Sequence, residues 1–180
     1  MIKSSFILMS VVFLLLSCGG KETEFSSEKD FHTYLNDQSN GFIQSMDGKD
    51  LKFETKLIPP FKDDKDKIVT VQLRISRLDG LSVLDLDGND QQQRLQDEGY
   101  LSFEIMKDVY LLNGKEIVPA TFSHYERNYG LKPSIDISFD FPAFNLKGDP
   151  VFVYNDLLFG QGMIKINYSK NLFSSCDVKQ

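Results

Sequence analysis

The chain has 180 residues, 41% of them apolar and 26% charged, with a net charge of −6, 12 Gly, 6 Pro, 2 Cys and no Trp. These figures fit one globular domain and exclude a collagenous, disulfide-framework or wholly disordered chain. The acidic balance argues against nucleic acid, because binding phosphates needs a surplus of Lys and Arg to displace counterions.

In chain order, Met1-Ile2-Lys3 supplies one positive charge, Phe6 to Leu16 is an almost unbroken apolar run, and Ser17-Cys18-Gly19 follows at once. This is the layout of a secretory signal peptide, and the run is shorter than the roughly 20 residues a spanning helix needs. Its ending, Leu15-Leu16-Ser17-Cys18, resembles a bacterial lipobox: an aliphatic residue, a small one before the cut, and a Cys after it. The resemblance implies that residues 1–17 are a lipoprotein signal peptide and that Cys18 becomes the acylated first residue of the mature protein. Leu16 departs from the small residue the pattern prefers.

Gly19, not Asp, follows the cysteine, so the inner-membrane retention signal of enteric bacteria is absent. Lys21-Glu22-Thr23-Glu24 places a lysine and two acids just behind Cys18. That run resembles the export signal of Bacteroidota lipoproteins, which implies an outer-membrane anchor facing the cell exterior. Acyl chains, at about 0.8 kcal/mol per buried methylene, hold a protein on a bilayer without a spanning segment. Residues 18–30 are rich in Gly, Ser and charge, a composition that reads as a flexible tether. Ser26 and Lys29 form a Ser-x-x-Lys pattern there, but no buried pocket would lower the lysine pKa, so the pattern carries no chemistry.

Residues 31–180 read as one domain, mainly β. Phe31, Tyr34 and Leu35 fit a short helix before Ser39, with Ser27 or Asp30 as its cap. The period then changes to two. Leu51, Phe53, Thr55 and Leu57 alternate with charged residues until Pro59-Pro60; Val69 to Ile75 and Ile135 to Phe141 repeat the pattern, as do Leu101 to Ile105 and Ile164 to Tyr168. Each is a strand with one buried and one wet face, the mark of antiparallel sheets. Asn113-Gly114 predicts a type I′ hairpin turn between Val109–Leu112 and Lys115–Val118. Seven to nine strands with regular turns predict an Ig-like β-sandwich or a small barrel. A polar interruption over 85–99 predicts a short helix from Asp90 to Glu98, closed by Gly99.

Chemistry-bearing patterns are sparse. Asp85, Asp87 and Asn89 bring oxygen ligands close together, as Ca²⁺ prefers, but the order does not match an EF-hand and an Asx-rich turn explains it equally. Cys176, in the C-terminal tail, is the one thiol left after Cys18; with two histidines in the chain and no ligand spacing, neither a cysteine dyad nor a zinc site follows. His124 and Glu126 fall on one face of a strand and could do acid–base work, though nothing beside them supplies a nucleophile. The aromatic density from Phe139 to Phe159 exceeds what one buried face hides, which makes Phe144, Tyr154 and Phe159 a candidate surface for a partner. No cofactor, catalytic or resident-metal motif is present. The expectation is a non-catalytic lipoprotein, an accessory subunit of an outer-membrane complex for transport, secretion or protein insertion. The alternative is a surface module or adhesin that binds glycan or peptide.

Overall fold

A computed structural model describes residues 25, 27–60, 67–85, 91–127 and 131–174. The first helix, α1, spans Glu28–Asn36. Ser27 caps it: its hydroxyl accepts from the Asp30 backbone N–H at 3.2 Å and donates to the Asp30 carboxylate at 2.8 Å, satisfying an orphan amide of the first turn. Three residues that composition assigns to the tether are therefore helical. Phe31 and Leu35 are buried, and the Phe25 ring stacks on Phe31 and Tyr34 at 5.2 and 5.1 Å.

Among the described residues nine strands form two antiparallel sheets and no closed barrel, as the sandwich expectation requires. The first sheet joins β1 (Ile43–Asp47), β2 (Leu51–Ile58), β3 (Val69–Arg77), β7 (Ile135–Phe141) and β6 (Phe122–Glu126), in the order β1-β2-β3-β7-β6. The second joins β4 (Val109–Asn113), β5 (Glu116–Pro119), β8 (Val151–Asp156) and β9 (Gly162–Asn167), in the order β5-β4-β8-β9. A four-residue helix, α3 (Asn171–Ser174), follows.

The alternation seen in the sequence is the alternation of the sheets. Phe53, Val71, Leu73, Ile137 and Phe139 point inward from the first sheet; Leu111, Phe152, Tyr154 and Ile164 meet them from the second, and all are 0–1% exposed. Ring pairs tie the layers together, Phe53 to Tyr154 at 6.4 Å and Phe139 to Phe152 at 6.1 Å. Where the core holds polar atoms they are paired, with Tyr168 donating its hydroxyl to Thr55 at 2.5 Å. Gln161 adds a link at one end of the sandwich, accepting the Lys49 backbone N–H at 2.8 Å.

Three expectations need correction. Leu101, Phe103 and Ile105 do not form a strand: α2 runs from Gln91 to Phe103 and a 3₁₀ turn covers Ile105–Asp108. The two-residue spacing was ambiguous, since Leu101 and Ile105 are also four apart. Both are fully buried, whereas Phe103 between them is 76% exposed, which is the helical solution. Nor does Gly99 end the helix; α2 passes through it for another turn. The hairpin turn is also displaced by one residue. Asn113 pairs with Glu116, so the two-residue loop is Gly114-Lys115, and of these Gly114 alone has positive φ (67°), the type II′ pattern. Asn113 is buried instead, donating to the Asn145 carbonyl and accepting from the Lys147 N–H, both at 2.7 Å. Two strands escaped the sequence reading altogether, β1 and β8.

Candidate functional site

The outward residues of the five-stranded sheet form rows that cross the strands. The register aligns Ile43, Lys56, Gln72, Ser138 and His124 in one row. A second row beside it holds Ser45, Glu54, Arg74, Asp136 and Glu126. On the opposite flank lie Ile58, Thr70, Asp140 and Phe122. A groove of about 380 Å³ lies over the first two rows, with Asn36 from the end of α1 closing one side.

The flanking rows are committed to themselves. Arg74 donates from Nε to Asp136 at 2.6 Å, and this hydrogen bond raises the guanidinium pKa further. Lys132 reaches Glu126 at 3.1 Å and Asp136 at 3.6 Å. Glu54 lies 3.5 Å from Lys52 along its own strand. Thr70 donates its hydroxyl to Asp140 at 2.6 Å. The row between them is different. Among the described residues Gln72, Ser138 and His124 make no side-chain hydrogen bond or ion pair, and Lys56 has a single neutral partner, donating to Asn36 Oδ1 at 2.6 Å. Partial burial lowers the Lys56 pKa, so its charge is poorly compensated where it sits.

His124 and Glu126 do share a face, as alternation predicts, with Tyr125 turned into the core. They are not coupled: Glu126 is engaged by Lys132, and His124 stands next to Ser138 across the strand pair without bonding to it. The backbone of the central strands is used in the ladders, which leaves no pair of N–H groups beside Ser138 to stabilise an oxyanion. What the row can do is hydrogen-bond a ligand laid across it, since an amide, a hydroxyl and an imidazole each donate and accept.

The expected aromatic partner surface does not survive packing. Tyr154 is fully buried; its hydroxyl donates to Asp156 at 3.0 Å, and burial pushes its pKa far up. Asp156 also accepts the backbone N–H groups of Leu158, Phe159 and Gln161, so the pair organises the β8–β9 loop. Phe144 and Phe159 are half-buried against the core, Phe144 edge-on to Phe173 at 5.9 Å. The excess of aromatics is absorbed because β8 is buried on both faces.

Cys18, Lys21, Glu22 and Glu24 lie outside the described residues, as do Asp87, Asn89 and Cys176, and of Asp85 only the backbone is described, in a 3₁₀ turn. Among the described residues no group of three His, Cys, Asp or Glu side chains is placed to hold a metal, and no helix is long and apolar enough to cross a membrane. Lys56, Gln72 and Ser138 were visible in the sequence only as the polar halves of alternating strands; the strand register that brings them together with His124 is non-local and has no sequence signature. Comparison with protein families, with curated proteins and with solved structures gives no match to this chain.

Proposed function

We propose that the chain is a lipoprotein anchored by Cys18 to the outer membrane, facing the cell exterior, and that it is a non-catalytic accessory subunit of an outer-membrane complex for transport, secretion or protein insertion. Its working surface is the outer face of the five-stranded sheet, where it holds a polar ligand for the complex. The observation that carries this reading is the open row Gln72, Ser138 and His124 beside Lys56, bounded on one flank by the Arg74–Asp136 pair and on the other by the Thr70–Asp140 pair.

The lipobox-like Leu15-Leu16-Ser17-Cys18 and the acidic run behind it support the location. Affinity purification of the tagged chain from detergent-solubilised native membranes tests both parts. The chain is expected to come down with an integral outer-membrane protein in fixed stoichiometry, and Cys18→Ala is expected to abolish metabolic labelling of the chain with radioactive palmitate. Purification of the wild-type chain alone overturns the accessory role; undiminished labelling of Cys18→Ala overturns the anchor.

A further inference from the structure

The open row also indicates the class of ligand, an inference that rests on the binding role just proposed. We infer that the outer face of the five-stranded sheet binds an acidic oligosaccharide laid across the strands, along Lys56, Gln72, Ser138 and His124, with Phe122 as its stacking platform.

Five observations converge on this class. The groove volume, about 380 Å³, is in the range of small-ligand sites. Neighbouring strands are about 4.8 Å apart, so the four side chains from Lys56 to His124 span roughly 14 Å at a nearly even interval. That interval approximates the repeat of rings in an extended pyranose chain, and the span fits about three of them. Gln72, Ser138 and His124 suit sugar hydroxyls, which donate and accept at once, better than they suit a ligand of one polarity.

Phe122 supplies the apolar counterpart. It lies two residues before His124 on the same face of β6, beside the groove and outside its lining, and is 55% exposed. A flat ring in that position matches the C–H face of a pyranose whose hydroxyls turn toward His124 and Ser138. At the other end of the row Lys56 is held by a neutral amide alone, so a sugar carboxylate arriving there gains a charge-assisted hydrogen bond that no protein group already makes.

A peptide is the weaker fit. Extended peptides are captured by the free backbone of an edge strand. Here the groove lies mainly over β2, β3 and β7, strands whose backbones are paired on both sides, and recognition falls to side chains.

Calorimetric titration of the full-length chain in detergent tests the assignment, with trigalacturonic acid, neutral cellotriose and an acidic Glu-Gly hexapeptide as probes. Trigalacturonic acid is expected to bind at least tenfold tighter than cellotriose. Lys56→Met is expected to bring trigalacturonic acid down to the affinity of cellotriose; His124→Ala and Phe122→Ala are expected to weaken both sugars about tenfold. These three side chains contribute nothing to the inner core, and unchanged circular dichroism confirms that each variant is folded. Equal binding of the two sugars overturns the acidic assignment, and tighter binding of the peptide overturns the carbohydrate assignment. Absence of sugar binding, or binding undiminished in the combined triple variant, overturns the site. Co-purification with a membrane partner is read independently, so failure here is distinguishable from failure of the accessory role.

Discussion

The two sheets have similar inner faces and opposite outer ones. Outside the first sheet the central strands carry Lys56, Gln72, Arg74, Asp136 and Ser138, a mainly polar surface with Ile58 at one flank. Outside the second, Tyr110 stands beside Val153 and Leu112 beside Val151, with Ile117 and Met163 at the two edges. Val153 is fully buried although it faces away from the core, whereas Ile117 and Met163 are 61% and 52% exposed. β2, β3 and β7 of the first sheet therefore obey the alternation of a half-wet strand, as β9 does in the second, whereas β8 does not. A strand wet on one side can place functional groups there at little cost to packing, while β8, apolar on both sides, is committed to structure.

The largest effects should be the same for both sheets, because they come from the shared interior. Phe152→Ala from the second sheet and Phe139→Ala from the first each remove a ring of the cross-sheet pair and should cost about 3–5 kcal/mol in urea denaturation. A clear difference between them would mean that one layer dominates the core.

The outer faces should respond oppositely to one and the same change. Val153→Asn buries an amide with no partner and should cost about 2 kcal/mol or more, whereas Ser138→Asn on the open polar row should stay within about 0.5 kcal/mol of wild type. Equal costs, measured by the same denaturation midpoints, would erase the distinction.

Alkaline pH probes the interior without mutation. Burial raises the Tyr154 and Tyr168 phenols above their ordinary value of 10.0, so the folded state holds these protons more tightly than the unfolded one. Their contribution is fully present below pH 10 and is lost as the pH rises beyond it, by up to about 1.4 kcal/mol per phenol per pH unit. Tyrosinate absorbance from these two should appear together with unfolding, not before it. A small gain belongs to α2, outside both sheets. A methyl group at Gly99 meets nothing within 4 Å, so Gly99→Ala should raise stability by about 0.5–1 kcal/mol in thermal melts.

How much of this was legible in the sequence follows the same division. The first sheet was readable where its outer face is wet: β2, β3 and β7 alternate cleanly because polar side chains mark one side. β8 was missed because Phe152, Val153 and Tyr154 are all buried, and a continuous apolar run has no period to detect. The same run produced the false partner surface, since alternation would have put part of it in water. α2 was mistaken at its end because Leu101 and Ile105 satisfy both periods and only the exposure of Phe103 separates them. Of the open row, His124 was singled out from its own strand. Lys56, Gln72 and Ser138 were not, because what makes them neighbours is the pairing of strands as distant in the chain as Gln72 and Ser138.

The central claim is that the outer face of the five-stranded sheet is the binding surface. Its most direct test is a titration of the isotope-labelled full-length chain with trigalacturonic acid, followed by amide and side-chain chemical shifts. The account predicts saturable shifts concentrated at Lys56, Gln72, Phe122, His124 and Ser138, with Val153 and Lys165 on the opposite face silent. Shifts centred on the second sheet, or none at saturating sugar, would contradict it.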